Sequence, residues 1–244
     1  MSDLVAAEWL KLRTTRLLYG MIPAAVVLSF AAVVGEVLSA DSATALESTR
    51  GVRHVLAVTG TGAIVVLVVG ILMAAGEHRH GTAADTFLTT PRRYPLVVAK
   101  TVTAAAVGLA TGAVFSVVCI GGAGLLYRLE GATFPLDTAE VWLAVAGTLA
   151  YSTLFAVIGV GIGALVRNQV VAVAAALAWL AVVEHTLVNL VPDIGRWLPA
   201  AAGQAVVRTP IDGLLSPLSA AAVLAVYAAA FALAGIRTTT TRDV

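Results

Sequence analysis

The densest group of side chains able to do chemistry is Glu77-His78-Arg79-His80, which sits between two long apolar runs. His-x-His is a metal-ligand spacing, but the only third ligand nearby is Glu77, and Arg79 between the imidazoles opposes a cation. No metal site is expected there. A second acid and imidazole, Glu184-His185, lie toward the end of an apolar run. An ionised glutamate at mid-bilayer costs about 2.5–3.5 kcal/mol on insertion scales. Glu184 therefore either faces protein or water, where with His185 it could line a path or exchange protons, or it lies at the headgroup boundary. Cys119, the lone cysteine, falls in an apolar run and reads as a packing residue. Serine and threonine are scattered on helix faces, where they hydrogen-bond across spans. Lysine occurs only at 11 and 100, and no Gly-x-x-x-x-Gly-Lys-Ser/Thr run exists. The chain is expected to bind no nucleotide in the P-loop manner, to carry no catalytic residues and to be no enzyme.

The elements that position these residues follow from composition. Of 244 residues, 59% are hydrophobic and 12% charged, and the mean hydropathy is +0.95. Soluble domains carry about twice that charge, so the chain reads as an integral membrane protein. Six segments approach the roughly 20 apolar residues that a spanning helix needs: Leu17 to Leu38, Val55 to Ala75, Leu96 to Leu126, Val141 to Val166, Val170 to Leu190 and Leu218 to Ile236. The third is long, and Gly121-Gly122-Ala123-Gly124 is expected to loosen or end it near its far side. An even number of spans puts both termini on one side. That side collects Lys11, Arg13, Arg16, Arg79, Arg92, Arg93, Lys100, Arg167, Arg237 and Arg242, against Arg50, Arg53, Arg128, Arg196 and Arg208 on the other. The bias places both termini in the cytosol. A rival reading takes the basic start, the apolar run and Leu38-Ser39-Ala40 as a signal peptide with its cleavage site. The length of the run and the early Pro23 oppose it. No repeat or linker divides residues 1–244, which read as one membrane domain.

Three connections are more than turns. Before the first span, Ser2 or Asp3 can cap a helix that places Val5, Trp9 and Leu12 on one face and Glu8, Lys11 and Thr15 on another. Trp9 suits the headgroup level, and Lys11, Arg13 and Arg16 suit anionic lipid, which predicts an interfacial helix. Between the second and third spans, Gly76 to Arg93 predicts a short helix capped by Thr82, with Ala83/Phe87 and Ala84/Leu88 as i,i+4 pairs. Pro91 ends it. The segment either docks on a partner, lies on lipid as a helix, or is an ordinary solvated loop. Between the fifth and sixth spans, Val191 to Pro217 is too apolar to float and is punctuated by Pro192, Pro199, Pro210 and Pro217. It predicts two short helices tucked into the outer leaflet. Gly108 with Gly112, and Gly159 with Gly161 and Gly163, predict close backbone contact between spans.

Two stretches resemble a known family. Ala7-Glu8-Trp9-Leu10-Lys11-Leu12-Arg13-Thr14-Thr15-Arg16 is similar to the opening segment of permease subunits of type-2 ABC exporters (the ABC-2 family), especially compact actinobacterial ones. Gly76-Glu77-His78-Arg79-His80-Gly81-Thr82, with Thr86-Phe87-Leu88 and Thr90-Pro91-Arg92-Arg93, resembles their cytosolic loop. An aromatic often stands where this chain has His78. The resemblance implies an all-α membrane protein of six transmembrane helices. It adds an N-terminal interfacial helix, a cytosolic coupling helix between spans two and three, and a short outer helical hairpin between spans five and six. It implies a multi-pass subunit of the cytoplasmic membrane that pairs with a second permease copy and engages separate ABC ATPase subunits. ATP and Mg would sit on those partners, with no cofactor on this chain and no nucleic acid bound. Glu77, His78, Arg79, Gly81, Thr82, Phe87, Leu88, Arg92 and Arg93 would couple to the ATPase, and the cargo would be a hydrophobic or amphipathic drug, peptide or lipid moved outward. The alternatives are a proton-coupled carrier or channel working through Glu184 and His185 without an ATPase, and a membrane immunity or scaffold protein.

Overall fold

Backbone amides in lipid have no water to bond, so a spanning chain must satisfy them within helices or a closed barrel. The spans of this chain take the helical solution. The structure, a computed structural model, describes residues 2–14, 17–79, 93–166 and 168–241. Among these residues every regular element is a helix. Six are long and apolar enough to cross a membrane: Tyr19–Leu38, Thr49–Gly76, Tyr94–Leu129, Ala139–Leu165, Gln169–Leu190 and Pro217–Thr240. They are called spans one to six below. The chain is therefore a multi-pass helical membrane protein. Spans two, three and four form the centre, while the outward faces of spans one, five and six show large apolar side chains such as Val27, Leu28, Val182, Leu190, Leu218 and Val226. Such an exterior suits lipid and would be a liability in water.

The central packing rests on missing side chains. A Cβ on Gly159 of span four would collide with the Leu67 carbonyl of span two, and one on Gly70 with the Ala156 carbonyl. Gly163 meets Ile71 in the same seam, Gly108 and Gly112 of span three face Ser152 of span four, and Gly161 faces Phe231 of span six. Both glycine sets singled out in the sequence are thus backbone contacts. Across one seam Thr59 and Thr148 share a buried hydrogen bond of 2.6 Å.

Two boundaries differ from the hydropathy pattern. The Gly121-Gly122-Ala123-Gly124 run does not break span three, whose helix is continuous from Arg93 to Leu129. Gly122 receives the Phe30 ring of span one, and the buried Tyr127 donates to the Leu46 carbonyl at 3.0 Å, so the last turns are held by tertiary contacts. Span two begins at Thr49 rather than near Val55, with a 3-10 turn at Val58–Gly60. Ser48 caps it by accepting from the Gly51 amide at 3.0 Å. The polar residues that mask this start in the sequence have partners: Arg53 donates two hydrogen bonds to Glu140, at 3.2 and 3.0 Å. Arg208 approaches the same carboxylate at 3.5 Å. Between spans one and two a short helix, Ala43–Glu47, is capped by Ser42. Glu47 accepts from the Thr133 amide at 2.7 Å and its hydroxyl at 2.8 Å, which ties two loops together. Between spans five and six lie two short helices, Pro192–Gly195 and Pro199–Val206.

Two outcomes follow. Gly159→Val should cost about 1–3 kcal/mol by overpacking, whereas Gly121→Ala, whose added methyl meets nothing within 4 Å, should not destabilise; detergent unfolding midpoints compare them. The Thr133 amide, and secondarily its hydroxyl, hold the Glu47 carboxyl below its usual value. Because the folded value is the lower one, this contact adds stability above the unfolded carboxylate pKa of about 4.3 and loses it as pH falls through the folded value. Thr133→Val should move the Glu47 titration midpoint, read by NMR, part of the way back up, since the backbone bond remains.

Candidate functional site: an ion-paired joint and a buried carboxylate

Lys100 is one of two lysines and falls two turns inside span three, where an unpaired ammonium is expensive. The helix Ser2–Thr14 supplies its counter-charge. Glu8 Oε2 accepts from Lys100 Nζ at 2.7 Å, and Glu8 Oε1 accepts from Lys11 Nζ at 2.8 Å. Lys100 Nζ also donates to the Met73 carbonyl near the end of span two, at 3.0 Å. Glu8 and Lys100 are both buried, at 3% and 6% exposure. Desolvating two such charges costs several kcal/mol each, so the pair persists only because each charge is close to its partner and further hydrogen-bonded. One carboxylate and one ammonium therefore bind three elements: the N-terminal helix, the end of span two and the start of span three. Spans two and three are the elements that residues 80–92 connect. The carboxyl-terminal parts of spans four and six lie at the same end, since Gly163 packs on Ile71 and Gly235 beside Ala164. The N-terminal helix and the last turns of span six therefore share this end of the bundle.

The ion pair also turns the N-terminal helix. The sequence pattern puts Val5, Trp9 and Leu12 together, with Glu8 on the polar face. In the structure Glu8 and Leu12 are the buried positions, while Trp9, Leu10, Lys11 and Arg13 are exposed. The buried stripe is thus rotated toward the acid, because Lys100 offers Glu8 more than solvent would, and Trp9 is left at the rim. Arg16 lies outside the described residues.

Of the residues expected to couple to an ATPase, Glu77, His78 and Arg79 extend the helix of span two, which runs to Arg79. Arg93 opens the helix of span three. Gly81, Thr82, Phe87, Leu88 and Arg92, and with them the expected short helix, lie outside the described residues. Neither the Glu8–Lys100 bond nor its link to Met73 was read from the sequence. A lone lysine in an apolar run was the available signal, because it demands an acid from elsewhere.

Glu184 and His185 face different surroundings. Glu184 is 1% exposed, whereas His185 is exposed. Residues Trp179–Glu184 form a π-helical turn within span five. In an α-helix, positions five apart are about 140° apart around the axis; an i to i+5 turn stacks them instead. Trp179 Nε1 consequently donates to Glu184 Oε1 at 3.2 Å, and the other oxygen accepts from the Ala200 amide at 2.8 Å. That amide belongs to the first turn of the helix Pro199–Val206, whose free N–H groups and dipole favour an acid. The far end of this helix is followed by Arg208, a non-glycine residue with φ 66°, which reaches Glu140. The short helix is strapped to the spans at both ends. Glu184 also lines a cavity of about 340 Å3 with Phe155, Trp179, Tyr227 and Phe231.

Removing one partner of a buried pair leaves the other charge stranded. Glu8→Met or Lys100→Met alone should cost about 3–5 kcal/mol, and the two together should recover most of it. A double-mutant cycle on unfolding in mixed micelles measures the coupling; additive losses would contradict a direct joint. No family model matches the chain, and no curated protein matches it.

Proposed function

We propose that this chain is the membrane-spanning permease subunit of an ATP-driven exporter, worked by a separate ATPase through residues 76–93. The observation that supports it is the Glu8–Lys100 bond with its Met73 link. It clamps the N-terminal helix across the two helix ends that bracket residues 80–92. A force applied to that segment would meet a joined three-helix unit and not two independent helix ends. The positive-inside bias turns this end toward the cytosol, the compartment that holds ATP. In this reading the N-terminal helix lies at the inner membrane surface with Trp9 at headgroup level. The helices at 192–206 lie at the outer surface.

The residue roles follow the resemblance. Glu77, His78, Arg79, Gly81 and Thr82 lead into the coupling segment, Phe87 and Leu88 seat in the ATPase, and Arg92 and Arg93 return the chain to the membrane. None of them does chemistry; nucleotide and Mg belong to the partner. A second copy of this chain, or a related one, would complete the path, and the cargo would be hydrophobic or amphipathic. In the proton-carrier alternative Glu184 and His185 would not work side by side, since one is buried and the other exposed.

The test is purification of the full chain from its native membrane, followed by reconstitution. A P-loop ATPase should accompany the wild type and drive ATP-dependent efflux. Phe87→Asp should reduce its recovery at least tenfold while insertion is unchanged. Full recovery of the ATPase with Phe87→Asp, or transport by the purified chain alone, would refute the proposal.

A further inference from the structure

The cavity beside Glu184 is lined by a buried carboxyl group that its packing role leaves without a cation. Buried carboxylates are ordinarily paired with cations. Glu184 accepts only from neutral donors, the Trp179 indole and the backbone amides of Ala200 and Ala201. No lysine, arginine or histidine among the described residues forms an ion pair with it. A carboxylate has about four acceptor positions, so capacity remains on a group that lines the cavity. The wall there is aromatic: Phe155, Trp179, Tyr227 and Phe231. Ring faces attract cations, most strongly where water is excluded. The volume, about 340 Å3, lies within the range of small-molecule pockets.

We propose that this cavity binds a hydrophobic organic cation, an ammonium centre carried on an aryl or alkyl body. The positive centre rests against Glu184 and the body lies along the aromatic wall. A metal ion is a poor fit, since no cluster of three metal-ligating side chains occurs among the described residues and the rest of the lining is apolar. An acyl chain would fill the space but leave the carboxylate unanswered. The π-helical turn belongs to this site, because it directs the Trp179 N–H at Glu184 and so fixes the carboxylate at the cavity wall. The inference concerns this chain alone and stands whether or not an ATPase drives it.

The test uses the full chain in nanodiscs and two probes of equal shape, 3-phenylpropyl-trimethylammonium and its neutral isostere with carbon in place of nitrogen. Saturable binding is read by displacement of the labelled cation. The wild type should bind one cation per chain, at least tenfold tighter than the neutral isostere. Glu184→Gln should abolish that preference. Gln has one acceptor oxygen where Glu has two, so a second variant leaves the acid in place. Ala175→Phe, at an exposed position lining the cavity, should block both probes. Equal affinity of the two probes for the wild type, the absence of saturable binding, or displacement of the cation by equimolar sodium or calcium would overturn the proposal.

Discussion

An apolar bundle in lipid must answer every charge and every backbone polar group from within. That constraint organises this protein. The helices answer the backbone. The glycine seams between spans two and four let the helices approach until carbonyls pack on Cα atoms, and close packing is the main source of helix association when lipid removes the hydrophobic incentive. The charges are answered locally. Lys100 is met by Glu8 and Met73, Arg53 and Arg208 by Glu140, and Glu184 by an indole and a helix end. The first two join elements that are distant in sequence, and the third joins span five to the short helix that follows it.

The charged contacts divide the bundle into two ends with different tasks. At the termini end, one buried ion pair turns three helices into a unit. At the opposite end, the ion cluster at Glu140 and the carboxylate of Glu184 hold the short helix Pro199–Val206 over spans four and five. A movement imposed at one end would travel through helices that are stiff along their axes and packed backbone to backbone in the middle. Under the proposed function this is the route by which movement would cross the membrane.

Much of the architecture was legible because membrane spans obey a strong rule. Helices of about twenty apolar residues are forced by the bilayer, so all six stand out in the sequence, and the glycine spacing marks where two of them touch. The misses share one cause, which is that tertiary partners rescue residues that look unsuitable in isolation. Arg53 and His54 hide the start of span two until Glu140 and the Ser48 cap are seen. The glycine run at 121–124 looks like a break until Phe30 and Tyr127 fill its surroundings. Glu8 looks like surface until Lys100 draws it inward. The π-helical turn has no composition signal at all. It becomes intelligible only from the pairing of Trp179 with Glu184, five residues apart.

The central claim is that the segment joining spans two and three, braced by the N-terminal helix, faces the ATP-containing compartment. Cysteine labelling in intact cells tests it directly. In a Cys119→Ser background, a membrane-impermeant maleimide should label Asp212→Cys in intact cells and Thr89→Cys only after permeabilisation. Labelling of Thr89→Cys in intact cells, with Asp212→Cys protected, would contradict the account.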